Sequence, residues 1–112
     1  MNQTDFNKLA SETLQEAIAV LSKKGIEYAE ENPDRLEAFK RAAALQDVTP
    51  TAALFGMLAK HTVSLAIMAS NPKPAEYPAS QWKEKAIDSI NYILLMLATV
   101  EDARHEDESI TI

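Results

Sequence analysis

The chain predicts an all-α fold, a compact bundle of four helices forming one domain over residues 1–112, and three observations lead there. Apolar residues recur at three- and four-residue spacing through most of its length. It holds two glycines among 112 residues, with abundant Ala, Leu, Glu and Lys, a composition that favours helix over strand. Helix-start signals also punctuate it at regular intervals, as Asn32-Pro33, Thr49-Pro50 and Ser80.

The first helix is expected over about 5–24, where Phe6, Leu9, Leu14, Ala17, Ile18 and Leu21 keep helical spacing. Thr4 is a candidate N-cap, and Lys23 and Lys24 suit the negative end of the helix dipole. Gly25 either stops this helix or allows a close approach if the helix runs on through Tyr28. The second helix, about 33–45, starts at Asn32 with Pro33 in its first position and is expected to turn Leu36, Phe39, Ala43 and Leu45 inward. Thr49 and Pro50 repeat that device for the third helix, about 50–69. Pro72, Pro74 and Pro78 then enforce an irregular, stiff loop. The fourth helix, capped by Ser80, covers about 81–103. From about 104 the acidic tail is expected to fray, with Ile110 and Ile112 left for a short strand-like contact.

Eleven basic and seventeen acidic residues leave a net charge of −6, and no basic stripe is present, which argues against nucleic-acid binding. No cysteine is available for a disulfide, a thiolate metal site or a nucleophile. "MNQTDFNK" lacks the basic and apolar regions of a signal peptide. The apolar run from Ala52 to Ala69 approaches spanning length, but Lys60 and His61 at its centre argue against a membrane segment. A cytoplasmic protein is expected, and the small domain size favours a homo-oligomer.

Chemistry-bearing residues concentrate on the last two helices. Ala53, Gly56, Lys60 and Ser64 share a small, polar stripe on the third, while His61 lies about 100° from Lys60, toward the packing side. On the fourth, Trp82, Ala86, Ile90, Ile93, Leu97 and Val100 make an apolar face. Opposite run Glu84, Asp88, Asn91, Tyr92, Thr99 and Asp102, a stripe that reads equally well as a solvated face. Within it Asp88, Asn91 and Tyr92 project as neighbours at i, i+3 and i+4. Oxygen ligands for a divalent metal are sparse, with Glu27, Glu30 or Glu31 and Asp88 as the candidates for Mg²⁺. No catalytic triad spacing, P-loop or dinucleotide motif occurs.

The ordered segments Lys24-Gly25-x-Glu27-Tyr28, Asp34-Arg35-Leu36-x-x-Phe39-Lys40, Lys60-His61 and Asp88-x-x-Asn91-Tyr92 resemble a group of small phage and prophage proteins of uncharacterised function. More distantly, "KEKAIDSINYILLMLA" is similar to the last helix of MazG-like, all-α nucleoside triphosphate pyrophosphatases and of phage nucleotide-modification domains. That resemblance implies a nucleotide-sized pocket between helices or subunits. Two acidic pairs hold the metal in MazG-like enzymes; here Lys60 and Ser64 stand where one is expected.

The leading expectation is therefore a binder of a nucleotide or other phosphate-containing ligand, as in the sequestering of a signalling nucleotide. Lys60 and Arg35 would meet phosphate, and Tyr28, His61, Ser64, Asp88, Asn91 and Tyr92 would complete the site. A metal-dependent pyrophosphohydrolase using Glu27 and Asp88 is the first alternative. The second is a protein-interaction module or inhibitor of a host factor, in which a Lys60–Asp88 ion pair sets helix register.

Overall fold

Four helices and one turn of 3₁₀ helix build the computed structural model, which describes residues 1–29 and 33–110, with backbone alone at 28–29 and 108–110. Helix α1 spans Gln3–Ala29, α2 Glu37–Gln46, α3 Pro50–Ser70 and α4 Ala79–Ile110, and the 3₁₀ turn covers Pro74–Glu76. No strand occurs among the described residues, and the fold is all-α as expected.

Local chemistry explains where the helices begin and end, and corrects several expected boundaries. At the start of α1 the cap is Asn2 rather than Thr4: its Oδ1 accepts the Asp5 N–H at 2.8 Å. Helix α1 runs through Gly25 instead of stopping at Lys24. Asn32, the expected cap of α2, lies outside the described residues. Helix α2 begins at Glu37, four residues later than expected, because Asp34 takes the role of a turn-former. Its Oδ1 accepts the Leu36 N–H at 2.9 Å and its carbonyl accepts the Glu37 N–H at 3.2 Å. At the other end Asp47 adopts φ 55°, and the Val48 and Asp47 N–H groups return to the Ala43 and Ala44 carbonyls, an αL stop made without glycine. Helix α3 starts as its sequence predicts: Thr49 Oγ1 accepts the Ala52 N–H at 3.1 Å, with Pro50 in the first position.

Helix α4 extends beyond its expected end at about 103, as far as Ile110. Lys40 holds it, reaching Asp102 at 2.9 Å and lying 3.9 Å from Glu106, one turn further on. The same ammonium bonds Asp34 at 2.7 Å, so one lysine ties the α2 entry to α4. The two acids raise the Lys40 pKa, and the hydrogen bond from Lys40 lowers that of Asp34.

Helix α4 is the spine. Antiparallel α3 packs on one side of it, and Thr51 and Thr99 share a 2.8 Å hydroxyl bond across that seam. Helix α1 runs parallel on another side, with Glu16 and Lys83 paired at 2.8 Å, and α2 packs on α3. The Trp82 indole donates to the Pro74 carbonyl at 3.0 Å and meets Tyr77 edge-on, pinning the proline-rich loop. Six apolar residues are buried (Ala17, Leu36, Ala43, Ala53, Leu54 and Met68), of which Leu54 is the sole large side chain sealed completely among the described residues.

A cationic and amide-lined cavity as candidate functional site

The α4 stripe, open to two readings in the sequence, is turned inward from Asp88 onward, while Glu84 is exposed. Asn91 and Thr99 are buried, at 8% and 5% exposure, and Asp88 and Tyr92 are half-buried. Of the residues expected to face inward, Trp82, Ala86, Ile90 and Val100 are half-buried, but Ile93 and Leu97 are uncovered, each 57% exposed. Packing against α3 rather than periodicity decides which side of a long helix faces in.

Asp88, Asn91 and Tyr92 line a cavity of about 170 Å³ between α1, the start of α2 and α4. Lys24 enters it from α1 and Arg35 from the turn before α2, over a floor that includes Leu21 and Phe39. Gly25 explains how Arg35 reaches this position. A Cβ built there would lie 3.2 Å from Arg35 Nε and 3.6 Å from Cδ, so the guanidinium stem passes directly over the bare helix backbone. The close approach, not a helix stop, is what this glycine provides.

Electrostatically the cavity is divided. Two cations come from the α1 and α2 side; one carboxylate, one amide and one phenol come from α4. Lys24 forms no ion pair with a described residue. The Asn91 Oδ1 is buried with no hydrogen-bond partner among the described residues, and a buried acceptor left unmet costs about 1–3 kcal/mol. Behind these groups stands His61 of α3. Its Nδ1 lies 3.7 Å from Asp88 Oδ2, beyond hydrogen-bond length, and its ring sits 5.4 Å from that of Tyr92. That Nδ1 is likewise buried and unmet. His61 thus touches two lining residues without lining the cavity itself.

No family model, characterised protein or solved structure matches this chain. The site stands on its own geometry.

Of the residues expected to form a site, Arg35, Asp88, Asn91 and Tyr92 come together, and His61 supports them. Lys60 and Ser64 do not join: Lys60 is exposed and Ser64 half-buried, both on α3 and neither lining the cavity. A Lys60–Asp88 ion pair is not formed among the described residues; His61 occupies that position next to Asp88. The Tyr28 side chain lies outside the described residues, as do Glu30 and Glu31. Glu27 is exposed and does not line the cavity, and no group of three metal-ligating side chains gathers among the described residues. Lys24 is the lining cation that sequence reasoning passed over as a site residue, although it opens the Lys-Gly segment quoted above.

Proposed function

We propose that this chain binds a small ligand carrying a phosphate or similar anionic group, of the nucleotide class, with its anion between Lys24 and Arg35. The observation that carries the reading is the pairing of two cations with an unmet, buried Asn91 carbonyl oxygen in one cavity. Arginine suits bidentate contact with phosphate oxygens, and lysine adds a point charge. Asp88 and Asn91 then accept from hydroxyl or amino groups of the same molecule. A ligand combining an anion with neighbouring donors, as a nucleotide does, satisfies both halves.

At about 170 Å³ the cavity falls below the roughly 300–1,000 Å³ that encloses a drug-sized ligand, so it takes the polar end of such a molecule. Asp88 is the one carboxylate among the described residues lining it, a poor donor set for an oxygen-ligated divalent ion. Binding is therefore favoured over metal-dependent hydrolysis.

Calorimetric titration with inorganic phosphate, nucleoside mono-, di- and triphosphates and cyclic dinucleotides tests the proposal. Binding by one class is expected, weakened about tenfold or more by Lys24→Ala, since a charge-assisted hydrogen bond contributes about 1.5–3 kcal/mol. Asn91→Leu is expected to abolish binding while leaving thermal stability equal or higher, because it removes an unmet acceptor. Silence across the whole panel would refute the reading.

A further inference from the structure

Helix α3 presents an outer face left largely uncovered among the described residues, with Pro72 and Tyr77 at its edge. Phe55, Val63 and Ile67 stand on it at 60%, 59% and 62% exposure, with Thr62 and Ala66 between them. Across the 21 residues of α3 there is no acid, and Lys60 is the lone permanent charge. By length and composition α3 could cross a membrane, and 17% of its most apolar window is buried. A helix this apolar in a chain of net charge −6 is not left facing water without a reason.

The surface area of the whole protomer leaves room for a partner on such a face. A monomer of 12.4 kDa is expected to expose about 6,100 Å². This protomer exposes 8108 Å², about 2,000 Å² above that expectation. Its radius of gyration, 17.0 Å, also exceeds the ~13 Å expected of a compact chain this long. A standard interface removes ~800 Å² from each partner, so the excess is enough for an extensive interface of the obligate kind.

We infer that the outer face of α3 docks on a second copy of this chain, α3 against α3 about a two-fold axis. An isologous contact needs a self-complementary surface; this one is apolar but for Lys60, one turn from Gly56, whose long stem can carry its ammonium to the solvated rim. Gly56 adds room: nothing lies within 4 Å of the Cβ it lacks, so another helix can approach its backbone. A lipid bilayer is the competing occupant of so apolar a helix. Lys60 and His61 at its middle, the latter 3.7 Å from Asp88 of α4, favour protein over lipid.

Sedimentation of the full chain in detergent-free buffer, at several concentrations, tests the inference. The wild type is expected at twice 12.4 kDa or a higher multiple. Val63→Glu is expected to lower that mass, whereas Ile18→Glu on exposed α1 is expected to keep it. If circular dichroism shows that Val63→Glu has lost its helices, Gly56→Leu decides the matter: the protomer has space for the side chain and the interface does not. A monomeric wild type overturns the inference, whether or not it floats with phosphatidylcholine vesicles. A folded Val63→Glu or Gly56→Leu chain that keeps the wild-type mass overturns it equally.

Discussion

Replacing Gly25 by alanine should separate stability from binding. The glycine has no positive φ, so alanine fits its helical backbone and gains about 1 kcal/mol of helix propensity. Against this stands the new Cβ, 3.2 Å from Arg35 Nε. Relief requires the Arg35 side chain to move a few tenths of an ångström, and bending one torsion ~30° from its rotamer costs about 0.5–1.5 kcal/mol. The two effects nearly cancel, so the melting temperature should change by less than ~5 °C. Binding has no such compensation. A guanidinium–anion hydrogen bond contributes about 1.5–3 kcal/mol, and displacement should forfeit about 1 kcal/mol of it, roughly fivefold in Kd. Scanning fluorimetry and calorimetry on Gly25→Ala, Arg35→Ala and the double variant read both quantities. In the Arg35→Ala background the Gly25→Ala change should have no further effect on affinity. Additive losses, or undiminished affinity in Gly25→Ala, would refute the claim that this glycine exists to seat Arg35.

Lys40→Met should lower stability by about 1 kcal/mol at neutral pH, since its pairs are partly solvent-screened. Because the native Asp34 pKa is depressed, its share is complete above the ordinary value of 3.8 and is lost as pH falls through the native value. Lys40 is raised, so its share is complete below the ordinary value of 10.5 and fades only in stronger alkali. Melting curves of both proteins should accordingly converge in acid and differ at pH 7; an equal gap at both would exclude the pairing. Leu54→Ala empties the one fully sealed large site among the described residues, and urea titration should register a loss of about 3 kcal/mol.

The start signal of α3 was legible without the structure, unlike those expected at Thr4, at Pro33 and at Ser80, which lies inside α4. Thr49 and Pro50 satisfy α3's first N–H groups from adjacent residues, so no distant contact alters the outcome. The ends of α1 and α4 were not legible for the opposite reason. Gly25 continues a helix because Arg35, ten residues on, needs the space above it, and the acidic tail stays helical with Lys40 among its partners. On α4, spacing correctly made Asp88, Asn91 and Tyr92 neighbours but could not say that the stripe faces inward. Which face of a long amphipathic helix is buried depends on its partners. For α4 one side meets α3 and the cavity, while Ile93 and Leu97 stay uncovered within a single copy. Lys60 stands out in a list of residues because it interrupts an apolar run; in space it lies on the exposed side, and quieter Lys24 lines the cavity.

Where the buried polar groups lack partners is as informative as where they have them. Thr51 and Thr99 satisfy each other at the seam, and Thr99 also donates to the Met96 carbonyl at 2.7 Å. His61 Nδ1, Ser89 Oγ and Asn91 Oδ1 find no partner, and they fall within one stretch of the α3–α4 region around Asp88. A chain optimised for stability alone replaces such groups with apolar ones, since each unmet group works against folding. Of the three, Asn91 lines the cavity with the two cations, and the proposed ligand would complete its hydrogen bond there. Local instability and a recognition surface are then one feature. The same reasoning underlies the dimer inferred for the outer face of α3, where the groups without cover are apolar rather than polar.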